Sequence, residues 1–455
     1  MHLKGVFMAR TLNMTSGNPG KLLFSFALPL MFGNIFQQLY TIVDTAIVGR
    51  GVGMLALAAL GAVDWLNWMM LGIAQGFTQG FCIRMSQNFG AQNIDKLKQT
   101  LGTSILLTAM VAAAGTLIAQ LGLPLFLRWM QVPDYLIPSA TLYSRIIMGA
   151  FPVVCFFNLC SSTLRAVGDS KTPLVAMVIA SVTNIILDIV AVFVLDLGIA
   201  GAAAATVLSQ LLSSVLCAVK IWQTPELRFQ KQHLTLDLQS AKDLMGIGIP
   251  AAVKNIIIAA GGMVVQTVVN SFDSLSFIAG FTATNKLYGL LEIAALSYGY
   301  AVTTYVGQNY GAGLIPRIRS GVRTANLLAL LSSVVIAAIM LIFGREITML
   351  FISRDDLALA LEAGETAYRY LCLMSLSLPV LYLLYVFMSA LQGMGNTIAP
   401  MWSAAFELIA RLTVAFIVAQ IGLRSGIFWA EVGAWYIGGV TQFLGYVLQM
   451  RKIKQ

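Results

Sequence analysis

"FGNIFQQLYTIVDTAIVGR", Phe32 to Arg50, lies inside the first long apolar segment of the chain and carries Asp44 where hydrocarbon is expected. Upstream of Asp44, the polar residues Asn34, Gln37, Gln38 and Thr41 recur at spacings of three and four. On a helix those side chains share one face. A carboxylate inside a membrane span costs roughly 2.5–3.5 kcal/mol on insertion scales, so such residues face a bundle interior or a wet cavity. Asp44 is therefore a functional residue, or else a structural one at the wet outer end of its helix.

Composition sets the medium. Of 455 residues, 58% are hydrophobic and only 10% charged, and mean hydropathy is +0.83. Soluble domains carry about 25% charged residues, so the chain is an all-α polytopic membrane protein; open sheet cannot sit in lipid. The net charge of +9 then marks the loops on one side of the membrane and is no sign of nucleic-acid binding. The five cysteines, Cys82, Cys155, Cys160, Cys217 and Cys372, all fall in apolar segments without metal-ligand spacing. Small buried hydrophobes account for them better than disulfides or zinc. No cleavable signal peptide is expected, because the first apolar run is too long for one.

A span needs about 20 apolar residues. Twelve such stretches are expected, at 22–46, 54–82, 100–123, 137–160, 173–195, 199–221, 246–270, 277–304, 322–343, 366–390, 398–420 and 427–450. With the N-terminus inside, the inner segments hold 18 Lys and Arg, including Lys4, Arg10, Lys96, Lys231 and Lys454. The outer ones hold five: Arg50, Arg128, Arg345, Arg354 and Arg424. The bias puts both termini in the cytoplasm of a plasma-membrane protein.

The longest polar stretch between spans runs from Trp222 to Asp243, near the middle, and prompts a search for a repeat. Pro29 and Pro250 lie 221 apart, as do "QNFGA" at Gln87 and "QNYGA" at Gln308. Tyr143 and Tyr370, Pro152 and Pro379, Gly168 and Gly395, and Pro173 and Pro400 lie 227 apart. An ordered series at a nearly constant offset implies two copies of a six-span unit. The expected domains are an N-terminal lobe (1–221), a linker (222–245) and a C-terminal lobe (246–455), with parallel topology and a site between rocking halves.

Asn184 and Asp188 are four apart in the fifth span, hence on one face. Together they offer oxygens for a small hard cation, or a carboxylate whose proton an amide holds; polar glue between helices is the alternative. Thr206 and Gln210 follow in the sixth span, and a lone threonine there more often bonds its own backbone. At the repeat offset Asp44, Asn184 and Asp188 map to Val265, Arg411 and Ala415, so the anionic cluster belongs to the first half alone. The second half holds Lys254, Lys286, Glu292, Arg369, Glu407, Arg411 and Glu431. Glu407 and Arg411, four apart, are expected to form a structural ion pair. Asn285 and Glu292 share a face of the eighth span, so Glu292 contacts substrate or a proton, or else partners Lys254 or Lys286. With Gln37, Tyr40 and Thr41 these two are the cavity candidates. The histidines, His2 and His233, are both in polar segments and there is no P-loop. A nucleotide-driven pump and an intramembrane enzyme are both excluded on that ground.

"FALPLMFGNIFQQLYTIVDTAIVGR", "QNFGAQN" with "QNYGAG", and "LRAVGDSKTP" with "LQGMGNTIAP" resemble the multidrug and toxic compound extrusion (MATE) family over the whole chain. The resemblance implies two six-helix lobes around a V-shaped cavity. It also implies an antiporter that exports amphipathic, often cationic drugs against inward H+ or Na+, with no other cofactor, acting as a monomer. The DinF-like branch looks closest. Its coupling site, a first-span Asp, a fifth-span Asn-x-x-x-Asp and a sixth-span Thr, matches Asp44, Asn184, Asp188 and Thr206, the set that would hold Na+ if sodium is the ion. Its helix-bending proline matches Pro29. The other bacterial branch carries carboxylates in the seventh and tenth spans, where this chain has Lys254 and no acid. The alternative within the same superfamily is a flippase for a lipid-linked precursor, which would use the cations of the second half but usually has further spans.

Overall fold

The computed structural model describes residues 11–130, 132–272, 274–352 and 357–453; His2, Lys4, Arg10, Arg354 and Lys454 lie outside them. Every regular element among the described residues is helical. The α-helices are α1 (Pro19–Gly51), α2 (Met54–Gly90), α3 (Ile94–Trp129), α4 (Ile137–Gly149), α5 (Phe151–Ala166), α6 (Lys171–Ile189) and α7 (Gly198–Gln223). There follow α8 (Leu238–Asn270), α9 (Leu275–Leu291), α10 (Ile293–Gly311), α11 (Ile315–Met349), α12 (Leu357–Gly393), α13 (Ile398–Ile421) and α14 (Phe428–Lys452). Among the described residues eight helices are long and apolar enough to cross a membrane, and two bent segments, α2 and α4 with α5, bring the number to ten. The protein is thus a multi-pass, all-α membrane protein. The two other expected spans are α9–α10, which is interrupted at Glu292, and α14, which carries Glu431, Thr441, Gln442 and Gln449.

The chain forms two compact units. Among the described residues, the first holds Leu28–Asn255, those before Gly17, and Gly307–Gly313; the second holds Gly17–Ala27, Ile256–Val306 and those from Leu314 onward. Helices α1, α8 and α10 pass from one unit to the other. In α1 the change falls beside Pro29, whose missing N–H leaves a gap in the helical hydrogen-bond ladder.

Several sequence landmarks acquire a physical cause. The expected fourth span is two helices bent by 43°, with Pro152 at the start of α5, where a proline needs no hydrogen bond. Gly168 and Gly395 both adopt positive φ, +89° and +86°, which only glycine does without strain. The next residue then caps the following helix. Asp169 accepts from the Lys171 and Thr172 N–H groups at 3.1 and 2.9 Å, and Asn396 accepts from the Ala399 N–H at 3.1 Å.

The "QNFGA" and "QNYGA" motifs form the last turns of α2 and α10, and they cross within the first unit. A Cβ on Gly90 would overlap the carbonyl of Gln308, and a Cβ on Gly311 would overlap that of Gln87. The contact is reciprocal, as the repeat requires. Beside it lies the irregular segment Leu12–Met14. The Leu12 N–H donates to the Val167 carbonyl (3.0 Å) and the Met14 N–H to Gln308 Oε1 (2.7 Å). Gln308 Nε2 donates to the Ala166 carbonyl (3.0 Å), and Asn309 Nδ2 to that of Met14 (3.1 Å). Met14, Gln308 and Asn309 are fully buried.

Candidate ion-coupling site

Helices α1 and α6 bring the acidic residues together. Gly33 lies against Leu174 and Met177 at the start of α6, and Gly51 against Val192 and Phe193 just past its end. Both contacts have the same register, and along it Asp44 falls level with the turn of α6 that carries Asn184 and Asp188. The carboxyls of Asp44 and Asp188 are neighbours, with the Asn184 amide beside Asp188. Asp188 is fully buried, Asn184 nearly so and Asp44 half-buried.

These groups are short of partners. Asp44 Oδ1, both Asp188 oxygens, and Oδ1 and Nδ2 of Asn184 are buried without a hydrogen-bond partner among the described residues. A buried polar atom in that condition costs about 1–3 kcal/mol, and more when charged. Two ionised carboxylates cannot bond to each other, whereas a proton on one would bridge to the other. Carboxylate and amide oxygens also suit a hard cation. The donor set therefore fits a proton or a sodium ion. Immediately past Asp188 the backbone widens into a π-helical turn, Val190–Val194, closed by the Leu195 N–H to the Val190 carbonyl (2.9 Å). Such turns recur at functional sites.

The other expected residues are placed as follows. Tyr40 is within electrostatic reach of Asp44 and Asp188. Gln37 is half-buried, while Thr41 is exposed and donates to the Gln37 carbonyl (2.9 Å). Thr206, on α7, donates to the Ala202 carbonyl of its own helix at 3.1 Å. Two residues were missed. Tyr143 of α4 lies within reach of Asp44, Asp188, Tyr40 and Asp64, though the sequence marked it only as a repeat landmark. Asp64 of α2 was legible by the criterion that selected Asp44, a carboxylate in an apolar run.

In the second unit, Glu292 stands between α9 and α10 and accepts from the Tyr385 hydroxyl at 3.2 Å. Its partners are thus the phenols Tyr385 and Tyr288; Lys286 is exposed and Asn285 half-buried. The ion pair shown for Arg411 differs from the expected one. The guanidinium takes a fork of bonds, at 2.9 and 2.8 Å, to Glu431 of α14. Glu431 also accepts from Trp435 Nε1 at 3.1 Å. Glu407 adds negative charge beside Arg411 and accepts from the Ser403 hydroxyl. The i,i+4 rule registered Glu407 but could not see a partner twenty residues away on another helix. Among the described residues no group of three or more His, Cys, Asp or Glu is placed to hold a metal ion.

An all-helical, multi-pass chain with buried carboxylates inside its apolar helices has the features expected of a membrane transporter. The MatE family model matches twice, at residues 29–190 and 250–417, and the chain belongs to that family. It is a MATE-type secondary transporter rather than an enzyme. The two matches start 221 and end 227 residues apart, the two offsets of the sequence repeat. The chain is similar to the "Probable multidrug resistance protein YoeA" of Bacillus subtilis, 27% identical over 73% of each chain. It is also similar to the "Probable multidrug resistance protein NorM" of Thermotoga maritima, 24% identical over 93% of this chain and 89% of the relative. Crystal structures of a MATE transporter in bent and in straight conformations share the fold. Each has a TM-score of 0.89 at 20% identity, over 98% of this chain and 98% or 99% of theirs.

Proposed function

We propose that the protein is a multidrug efflux antiporter of the DinF-like branch, exchanging amphipathic or cationic compounds from the cytoplasm for inward H+ or Na+. The observation that carries this reading is the set of unpartnered oxygens on Asp44, Asp188 and Asn184. The coupling ion, a proton or sodium, neutralises that set, with Thr206 as a further oxygen. Neutralisation rearranges α1 around Pro29 and weakens drug binding; Gln37, Tyr40 and Thr41, with Asn285 and Glu292, line the drug's path. Drug and ion compete, and without that competition linkage gives no exchange. The drug chemistry rests on the names of the relatives, two of which are called multidrug resistance proteins.

The proposed architecture is twelve spans in two six-helix lobes, 1–221 and 246–455, joined by a linker at 222–245, with both termini cytoplasmic in the plasma membrane of a monomer. The crossing of α2 and α10 at Gly90 and Gly311 is then the closed cytoplasmic gate. The flippase alternative loses support: of the cations it would use, Arg411 is bound to Glu431 and Arg369 to Glu365. Proteoliposomes loaded with a cationic dye, with either a proton or a sodium gradient imposed, test the proposal. One gradient drives dye exchange in the wild type, and Asp188→Asn abolishes the coupled part. Wild-type exchange by Asp44→Asn and Asp188→Asn against a dye gradient sinks it.

A further inference from the structure

The chain leaving α7 does not run free. Thr224 Oγ1 donates to the Lys220 carbonyl (2.8 Å), and the Leu227 and Arg228 N–H groups donate to the Thr224 carbonyl at 3.0 and 2.9 Å. Leu227 is fully buried. Further on, the 3-10 turn Lys231–His233 rides on α3. A Cβ on Gly102 would overlap the His233 carbonyl, and Thr103 Oγ1 donates to that of Thr235 (3.1 Å). The segment is pinned at both ends to the first unit.

Between the pins is a cavity of about 1010 Å³ lined by Lys98, Trp222, Arg228, Phe229, Lys231 and Leu234, among others. Its charged lining is entirely cationic. Among the described residues Lys98, Arg228 and Lys231 form no ion pair with a carboxylate, and the nearby Glu226 instead accepts from the Thr11 hydroxyl. The Arg228 guanidinium lies 5.2 Å from the centre of the Trp222 ring, which meets Phe229 edge-on at 6.4 Å. Trp222 is 56% exposed, and the apolar side continues through exposed Leu234, Leu236 and Leu238. Trp222 closes the last turn of a membrane-crossing helix, where aromatic rings sit at headgroup level.

We propose that this cavity binds the headgroup of an anionic phospholipid. Three unpaired cations take the phosphate and its charge, and Trp222, Phe229 and Leu234 lie along the glycerol and upper acyl chain. Basic pockets at the ends of membrane helices recognise lipid headgroups in this way. A free phosphate ion has the charge but leaves the aromatic and leucine wall without a partner. The assignment needs neither drug transport nor a coupling ion, so it stands or falls separately from the proposed antiport.

The test uses the full-length protein in nanodiscs of phosphatidylcholine doped with brominated phosphatidylglycerol or brominated phosphatidylcholine. The Trp222 contribution to fluorescence is taken as wild type minus Trp222→Phe. Brominated phosphatidylglycerol is expected to quench it preferentially, with the preference about fivefold weaker for each cation removed in Arg228→Gln and Lys231→Gln. The control Arg323→Gln/Arg451→Gln keeps the full preference. Equal quenching by the two lipids overturns the proposal, as does a preference that survives in Arg228→Gln/Lys231→Gln or is lost in the control. Competition by millimolar inorganic phosphate overturns it in favour of a free-anion site. Gel filtration of each variant checks that the fold is retained.

Discussion

The reciprocal glycine crossing makes the sharpest demand on the fold. In Gly90→Ala a new methyl group meets the Gln308 carbonyl, and in Gly311→Ala one meets the Gln87 carbonyl. Each obstacle is backbone, held in a helical turn, so no rotamer change clears it. Forcing an extra methyl into a packed contact costs about 1–3 kcal/mol. Under the proposed gate, the crossing relieves this by opening, and that cost shifts the closed-to-open ratio by about fivefold to about 150-fold. Repeat symmetry predicts similar effects at the two sites. The assay places spin labels at Ala91→Cys and Ala312→Cys, the equivalent positions following the two glycines, and reads the distance distribution by pulsed electron resonance. Wild type should give a short distance, and both alanine variants a population at longer distance. Gly433→Ala, where nothing lies within 4 Å of the added Cβ, is the control. Distances in Gly90→Ala and Gly311→Ala that match the control would refute the reasoning.

Other variants probe other contacts. Gln308→Ala removes the acceptor of the buried Met14 N–H and the donor to the Ala166 carbonyl. The expected loss is about 1–3 kcal/mol, read as a lower thermal midpoint in detergent, with Leu12–Met14 becoming protease-sensitive. Glu431→Gln leaves Arg411 with its bidentate partner weakened in an interior where Arg411 Nη1 already lacks one. Removing one member of a buried pair costs about 3–5 kcal/mol, whereas Arg411→Met/Glu431→Leu should recover much of the stability; a double variant as unstable as the single one would contradict the pairing. Tyr143→Phe keeps the ring and removes the hydroxyl near Asp44 and Asp188, so dye exchange should show an altered dependence on the coupling ion while the thermal midpoint stays close to wild type. An unchanged ion dependence would remove Tyr143 from the site.

Much of the protein was legible in its sequence. Hydropathy revealed a helical membrane protein because lipid admits few alternatives, and the offsets of 221 and 227 recur in the two family matches. Asp44, Asn184 and Asp188 stood out for one reason: charge and amide groups at membrane depth are expensive, so each needs a cause. Gly168 and Gly395 stood out only as repeat landmarks; the structure added their left-handed turns and the capping Asp169 and Asn396.

Tertiary structure decided whatever depends on residues far apart in the chain. Only packing could show that α1 and α6 lie in the register that sets Asp44 beside Asp188, or that Arg411 binds Glu431. The same holds for Tyr143, an ordinary span residue until α4 brings it to the acids, and for Gln308, whose role depends on a segment nearly three hundred residues upstream. Sequence spacing reports a helix's own faces because its geometry repeats every 3.6 residues. Which face meets which neighbour is set by the fit of whole surfaces, where a single missing Cβ at Gly51 or Gly90 determines how closely two segments approach.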